Sequence, residues 1–220
     1  MKNLILKIKR FFSNFHVATF GSIACGLAVI INLIDLGSFA ASGAAMGDAI
    51  YELIITIINC IFYLYLTKSF ITAKQTNNLG LVNYCLLIIT IFDYILPAAQ
   101  AFLFNMLING VVAALASTLL SAAILGILYF VFLARNNKGI GKRNITWLTI
   151  IGAIILVISC AIGGLYVTMG IQGILNSVVN TATILSTISN LLSGVEVIMM
   201  GCLYFAFPLY LKRRWFKVHH

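Results

Sequence analysis

Charge is scarce in this sequence. Only 9% of the 220 residues are Asp, Glu, Lys or Arg, while 62% are hydrophobic. A soluble domain of this length cannot hide that much apolar surface. Lipid is the solvent that suits it. Histidine occurs three times, at His16, His219 and His220. All three lie outside the apolar runs, so an intramembrane haem has no imidazole ligand. The five cysteines, Cys25, Cys60, Cys85, Cys160 and Cys202, all fall inside apolar runs. No CxxC or Cys/His spacing joins them, which argues against zinc and against a disulfide framework. No HExxH, GxSxG or Walker motif occurs, so no catalytic set, metal or cofactor is expected.

What is present is a repeated ending. Residues 126–135 read GILYFVFLAR, 59–68 read NCIFYLYLTK and 201–212 read GCLYFAFPLYLK. Each is an apolar helix that reaches an aromatic zone and stops at a cation. A bilayer imposes that order, with rings at headgroup depth and Lys or Arg beyond them in the cytoplasm. The chain therefore reads as three hairpins returning to one face. IINLID ending at Asp35, IITIFD ending at Asp93 and IILVIS ending at Ser159 recur in matching places. A triplicated two-helix unit is one account of this. Membrane rules acting alone are the other.

The fourteen bases divide cleanly by segment. Residues 1–16, 134–144 and 211–220 hold four each, and residues 67–80 hold two. The intervening connections hold none. The positive-inside rule then gives six spans and both termini in the cytoplasm of a multi-pass cell-membrane protein. The net charge of +9 reads as topology and as contact with anionic lipid on the cytoplasmic side. No nucleic-acid partner is expected.

The predicted fold is all-α, in three parts. Residues 1–16 form a basic amphipathic interfacial helix, with Leu4, Ile5, Ile8, Phe11, Phe12 and Phe15 on one arc. The alternative is the n-region of a signal peptide, with the small residues of 38–45 as cleavage site; the apolar run from Val17 is too long for that. Residues 17–211 form six spans, near 17–36, 49–67, 81–101, 111–134, 145–166 and 188–211. Residues 212–220 are a basic cytoplasmic tail. Between spans, 37–48 reads as a small-residue turn, 68–80 as a polar link and 102–110 as an interfacial stretch. Residues 135–144 read as a solvated loop, and 167–187 as an uncharged outer segment.

Two constellations stand out. Gly110, Ala114, Thr118, Ala122 and Gly126 recur every four residues along the fourth span, a stripe that permits close helix approach. The contact is either internal or a homodimer face. The second constellation is polar. Asp48, Glu52, Thr56, Asn59 and Tyr63 share one face of span 2, and Asn32 and Asp35 one face of span 1. Thr90, Asp93, Pro97 and Gln100 share a face of span 3, and Ser189, Ser193 and Glu196 a face of span 6. Polar faces avoid lipid, so these are expected to converge. Glu52 and Glu196 lie roughly 22–24 Å from the cytoplasmic ends of their spans, and Asp93 about 18 Å. Pro97 has no N–H, so the carbonyl of Asp93 loses its helical partner. Transporters place ion or substrate sites at such breaks. The candidate site for a small solute or cation is therefore Asp93 with Glu52, Glu196, Asn59, Gln100 and Asp35. The competing account leaves the outer carboxylates solvated at the interface and Asp93 beside a simple kink.

In size and span count the chain resembles the substrate-binding subunits of energy-coupling-factor vitamin importers. ACGLA at 24–28 is similar to the small-xxx-small spacing of their first helix. The resemblance implies a solute-binding bundle and supplies no substrate motif. Two function classes follow. One is small-solute or cation binding and transport, through a polar pocket in the outer half. The other is a non-catalytic accessory, assembly or immunity protein that associates with a second copy or a partner membrane protein. Polar side chains lining one cavity would favour the first. Outward carboxylates over a tightly packed apolar core would favour the second.

Overall fold

The computed structural model describes residues 16–43, 46–96, 118–136, 141–176 and 180–219. Every regular element among them is helical. In chain order they are α1 (Val17–Ala41), α2 (Met46–Gln75), α3 (Leu79–Thr90), a π-helical turn (Ile91–Ile95), α4 (Thr118–Asn136), α5 (Lys142–Asn176) and α6 (Thr181–His219). Four stretches are long and apolar enough to cross a membrane: Val17–Ala41, Gly47–Gln75, Lys142–Leu175 and Thr181–Arg213. Leu79–Asp93 and Ile124–Arg135 are shorter apolar helices. The apolar surface faces outward as lipid requires: Ile54, Ile58, Ile61 and Leu64 of α2 are all exposed. The amphipathic helix expected over 1–16 lies outside the described residues, apart from His16, and so does the stretch at 102–110.

Three connections differ from the sequence reading, each because helix continues through polar residues. The link at 68–80 is absorbed by α2 as far as Gln75, leaving 76–78 before α3. Phe70 and Ala73 are fully buried there. The hydroxyls of Ser69 and Thr72 donate to the carbonyls of Tyr65 and Lys68, at 2.8 and 3.0 Å. These side chains are satisfied on their own helix and need no loop. The turn at 37–48 is shorter, since α1 runs to Ala41 and α2 starts at Met46. Gly43 there adopts φ 75, a left-handed conformation that favours glycine. The outer segment at 167–187 is helical to Asn176 and again from Thr181. Its Gly170 and Gly173 serve helix contact rather than a turn.

The described residues fall into two compact units. One holds α1 and α2 with residues 156–203; the other holds residues 78–155, including α3 and α4, with residues 204–219. In the α1–α2 unit, Gly21 of α1 lies against Phe70 of α2, so close that a Cβ would sit 2.5 Å from the ring. Ala24, Cys25 and Ala28 are buried along α1. The parts of α5 and α6 in this unit meet along glycines. A Cβ on Gly163 would lie 2.7 Å from the Gly194 carbonyl oxygen, and the reverse distance is the same. Gly170 faces Leu191, Gly173 faces Thr187 and Gly201 faces Ser159. Gly163 and Gly170, like Gly194 and Gly201, are seven residues apart, which holds small side chains on one seam of a wrapped pair.

In the α3–α4 unit, both α3 and the π turn pack against α4. Leu86, Ile89, Tyr129, Leu133, Leu148 and Phe207 are fully buried. Tyr204 organises the polar contacts. Its carbonyl accepts from the Tyr129 hydroxyl at 2.9 Å, and its own hydroxyl lies 3.1 Å from Thr90 Oγ1. Thr90 donates to the Leu86 carbonyl at 2.7 Å, so the proton shared with Tyr204 comes from the tyrosine. At the basic end of α4, the Arg135 guanidinium sits 5.9 Å above the Phe132 ring. Phe132 in turn stacks on Trp147 at 6.0 Å and 11°. The aromatic–cation ending is thus one physical cluster, of the kind that holds a helix end at headgroup depth.

Candidate polar site at the acidic end of the α1–α2 unit

The site is built on α1, at residues 32, 35 and 38. A spacing of three keeps them on one side of a helix. Asn32 donates to the Ala28 carbonyl at 2.7 Å, which fixes its amide. Its Oδ1 then accepts from Asn59 Nδ2 of α2 at 3.2 Å. One turn on, Asp35 Oδ1 accepts the hydroxyl of Ser189 of α6. Ser189 is only 5% exposed, so its hydroxyl needs this acceptor. Ser38 donates to the Ala182 carbonyl of α6 at 3.1 Å. Gly37, between them, lies against Leu185. The polar face of α1 thus joins α2 on one side and α6 on the other.

The carboxylates sit around this track. Asp35 and Asp48 are exposed, Glu52 and Glu196 are half-buried, and Thr56, one turn from Glu52, is buried. The described bases of this unit, Lys68 and Lys74, lie at the far end of α2. Lys68 is sixteen residues from Glu52, or about 24 Å of helix. The unit is therefore acidic at one end and basic at the other. A carboxylate offers about four acceptor positions, so Asp35 keeps capacity beyond the Ser189 bond.

Of the residues singled out by sequence, Asp35, Asn59, Glu52 and Glu196 belong to this unit. Asn59 meets Asn32, and Asp35 meets Ser189, a residue named on the polar face of span 6. Asp93 belongs to the α3–α4 unit, at the centre of the π turn, and is half-buried. The backbone there departs from α geometry, with the Leu96 N–H bonded to the Ile91 carbonyl five residues back. Such turns occur often at functional positions. Gln100, Gly110 and Ala114 lie outside the described residues. Thr118 and Ala122 lie on α4, and Gly126 is buried. Among the described residues no three His, Cys, Asp or Glu side chains gather as a metal site.

Sequence reasoning missed Ser38, whose partner is a backbone carbonyl. It also missed the Tyr129–Tyr204–Thr90 contacts, whose one signal was Pro208. The seven-residue glycine spacing on α5 and α6 is the sequence signal of their seam. No family model matches the chain, and no curated protein or solved structure is similar to it.

Proposed function

We propose that the chain is a six-span cell-membrane protein with both termini in the cytoplasm, and that it acts by associating with another component at the membrane rather than by chemistry. The span count rests on the fourteen bases. It is supported by α3, which continues through the π turn, and by α4, 19 residues long. The observation that carries the association reading is how the polar side chains are used. Asn32, Asn59, Ser38 and Ser189 all bond across helices, α5 and α6 meet backbone to backbone, and the acids Asp35 and Asp48 face outward. Two of the five acids are thus exposed over closely approaching helices, the arrangement expected of a protein that acts by association. Reporter fusions at residues 44, 76, 105, 139 and 178 should read out, in, out, in, out. Native mass spectrometry of the detergent-purified protein tests the function: a retained second chain supports association, and a retained small molecule with a single chain refutes it.

A second reading has one observation in its favour. The Asp35 carboxylate, oriented by Ser189 on an apolar helix, is suited to a cation or a small cationic solute. Asp35, Glu52, Asn59 and Glu196 of the α1–α2 unit are the residues of that reading. Thermal stabilisation by a cation that disappears in Asp35→Asn would establish it in place of the first.

A further inference from the structure

The stacked pair of Phe132 and Trp147 joins the last turns of α4 to the first turns of α5. Arg135 lies three residues after Phe132, and Arg143 lies four residues before Trp147. Those spacings keep each arginine on the same face as its own ring. α4 ends here and α5 begins here, so both arginines lie beyond the ring pair at one end. The step from ring to arginine is about 5–6 Å along each helix. Both arginines are exposed. The Arg135 guanidinium sits over the Phe132 ring, a stack that holds the group in place and leaves its N–H edge free. Asp93 is the only acid among residues 78–155 and 204–219, and it belongs to the π turn. Two guanidinium groups are thus brought to one end with no carboxylate on their own helices.

On the other side of the ring pair the surface is apolar. Leu128 and Ile124 stand four and eight residues before Phe132, on its face of α4. Ile150 and Ile154 stand three and seven residues after Trp147, on its face of α5. All four are exposed. From the basic end inward, the α4–α5 surface therefore runs from two guanidinium groups, through two stacked rings, to four aliphatic side chains. A phospholipid runs in the same order, from phosphate through the glycerol esters to the acyl chains.

We infer that this surface binds one anionic phospholipid from the leaflet at the basic end of α4, with the phosphate held by Arg135 and Arg143. The acyl chains lie along Leu128, Ile124, Ile150 and Ile154. Any phospholipid can cover that aliphatic track, so the track makes no choice among lipids. The choice is made at the arginines. Planar guanidinium forks match phosphate oxygens. A phosphatidylcholine headgroup brings its own cation to the same two cations, whereas an anionic headgroup brings net charge of the opposite sign. The bound lipid also bridges α4 and α5.

The test uses Trp147 as the reporter. Trp147 and Trp215 are the two tryptophans, so Trp215→Phe leaves Trp147 as the sole indole. Full-length Trp215→Phe protein is placed in phosphatidylcholine vesicles that contain a small fraction of lipid brominated on its acyl chains. The brominated lipid is either phosphatidylglycerol or phosphatidylcholine. Bromine quenches an indole only near contact, so Trp147 reports which lipid lies beside it. Brominated phosphatidylglycerol should reach half-quenching at about a fivefold lower fraction than brominated phosphatidylcholine, the worth of one base facing an anionic headgroup. Arg135→Gln with Arg143→Gln should remove most of that preference. Lys68→Gln with Lys74→Gln on α2 removes the same charge elsewhere and should leave it intact. Equal quenching by the two brominated lipids overturns the inference. Equal loss in the arginine and lysine pairs also overturns it, because attraction would then belong to the protein's charge at large and not to a site. The comparison of the two lipids is made with both arginines in place, so it decides the matter even if a variant fails to fold.

Discussion

The Tyr129 hydroxyl donates to the Tyr204 carbonyl at 2.9 Å, and that carbonyl is the group whose helical partner Pro208 removes. Proline has no N–H, so a helix that contains one loses the bond four residues back. α6 contains Pro208 and stays helical from Thr181 to His219. Tyr129 of α4 supplies the missing donor, with its ring edge-on to the Tyr204 ring at 4.9 Å and 85°. Replacing Tyr129 by Phe keeps the ring and removes the donor. A buried acceptor deprived of a partner costs about 1–3 kcal/mol. Thermal unfolding in detergent should show that loss. In a Pro208→Ala background the backbone N–H returns, and Tyr129→Phe should cost much less. Equal cost in both backgrounds would mean that the hydroxyl is not replacing the missing N–H.

Gly163 and Gly194 give the second prediction. Each would place a Cβ 2.7 Å from the other's carbonyl oxygen, too close for any side chain. Gly163→Ala and Gly194→Ala should each destabilise the protein by about 1–3 kcal/mol, an overpacking cost. Gly164, the next residue, has nothing within 4 Å of an added Cβ. Gly164→Ala should be neutral, or stabilising by about 0.5–1 kcal/mol through helix propensity. Indistinguishable melting of Gly163→Ala and Gly164→Ala would remove this seam from the packing.

The membrane class was legible because it depends on composition, and helix lengths were less so. Residues 68–75 look like a loop by polarity, yet Ser69 and Thr72 bond to their own helix and Phe70 is buried. Residues 167–176 look like an outer loop by their Gly, Thr and Asn content, yet the glycines face α6. Polarity and glycine content each have two structural uses, and one sequence does not say which applies. The polar faces were readable by helical period, and Asn32–Asn59 and Asp35–Ser189 join faces read that way. The Ser38 contact was not readable, because its acceptor is a backbone carbonyl that every residue carries. Pro208 signalled a freed carbonyl, and nothing in the sequence said that Tyr129 would meet it.

The Asn32–Asn59 bond tests how α1 and α2 hold together. Hydrogen bonds between membrane helices average about 0.6 kcal/mol, with a maximum near 1.7. Asn59→Ala should cost an amount in that range. Asn32 also bonds to Ala28 on its own helix, so Asn32→Ala removes two contacts and should cost more. A double-mutant cycle isolates the pair. A coupling energy near zero would show that the two amides do not stabilise each other.

Asp93 separates the two functional readings. It sits in the π turn, four residues before Pro97, and the turn packs against α4. Irregular backbone at membrane depth is tolerated where protein covers it or where it lines a cavity. If the protein binds a small solute or cation, this carboxylate is a candidate ligand, and Asp93→Asn keeps its size and most of its hydrogen bonding while removing the charge. Solute binding should then fall at least about tenfold, the effect of losing one charge-assisted contact, while expression and topology persist. Asp93→Leu also removes the polar group, and serves as the structural control. If Asp93→Asn melts like wild type and Asp93→Leu does not, the polar group holds the turn and the charge is dispensable for stability. Under the association reading, Asp93→Asn leaves partner capture unchanged. Loss of both solute binding and partner capture in Asp93→Asn, at wild-type stability, would show that the two readings describe one activity.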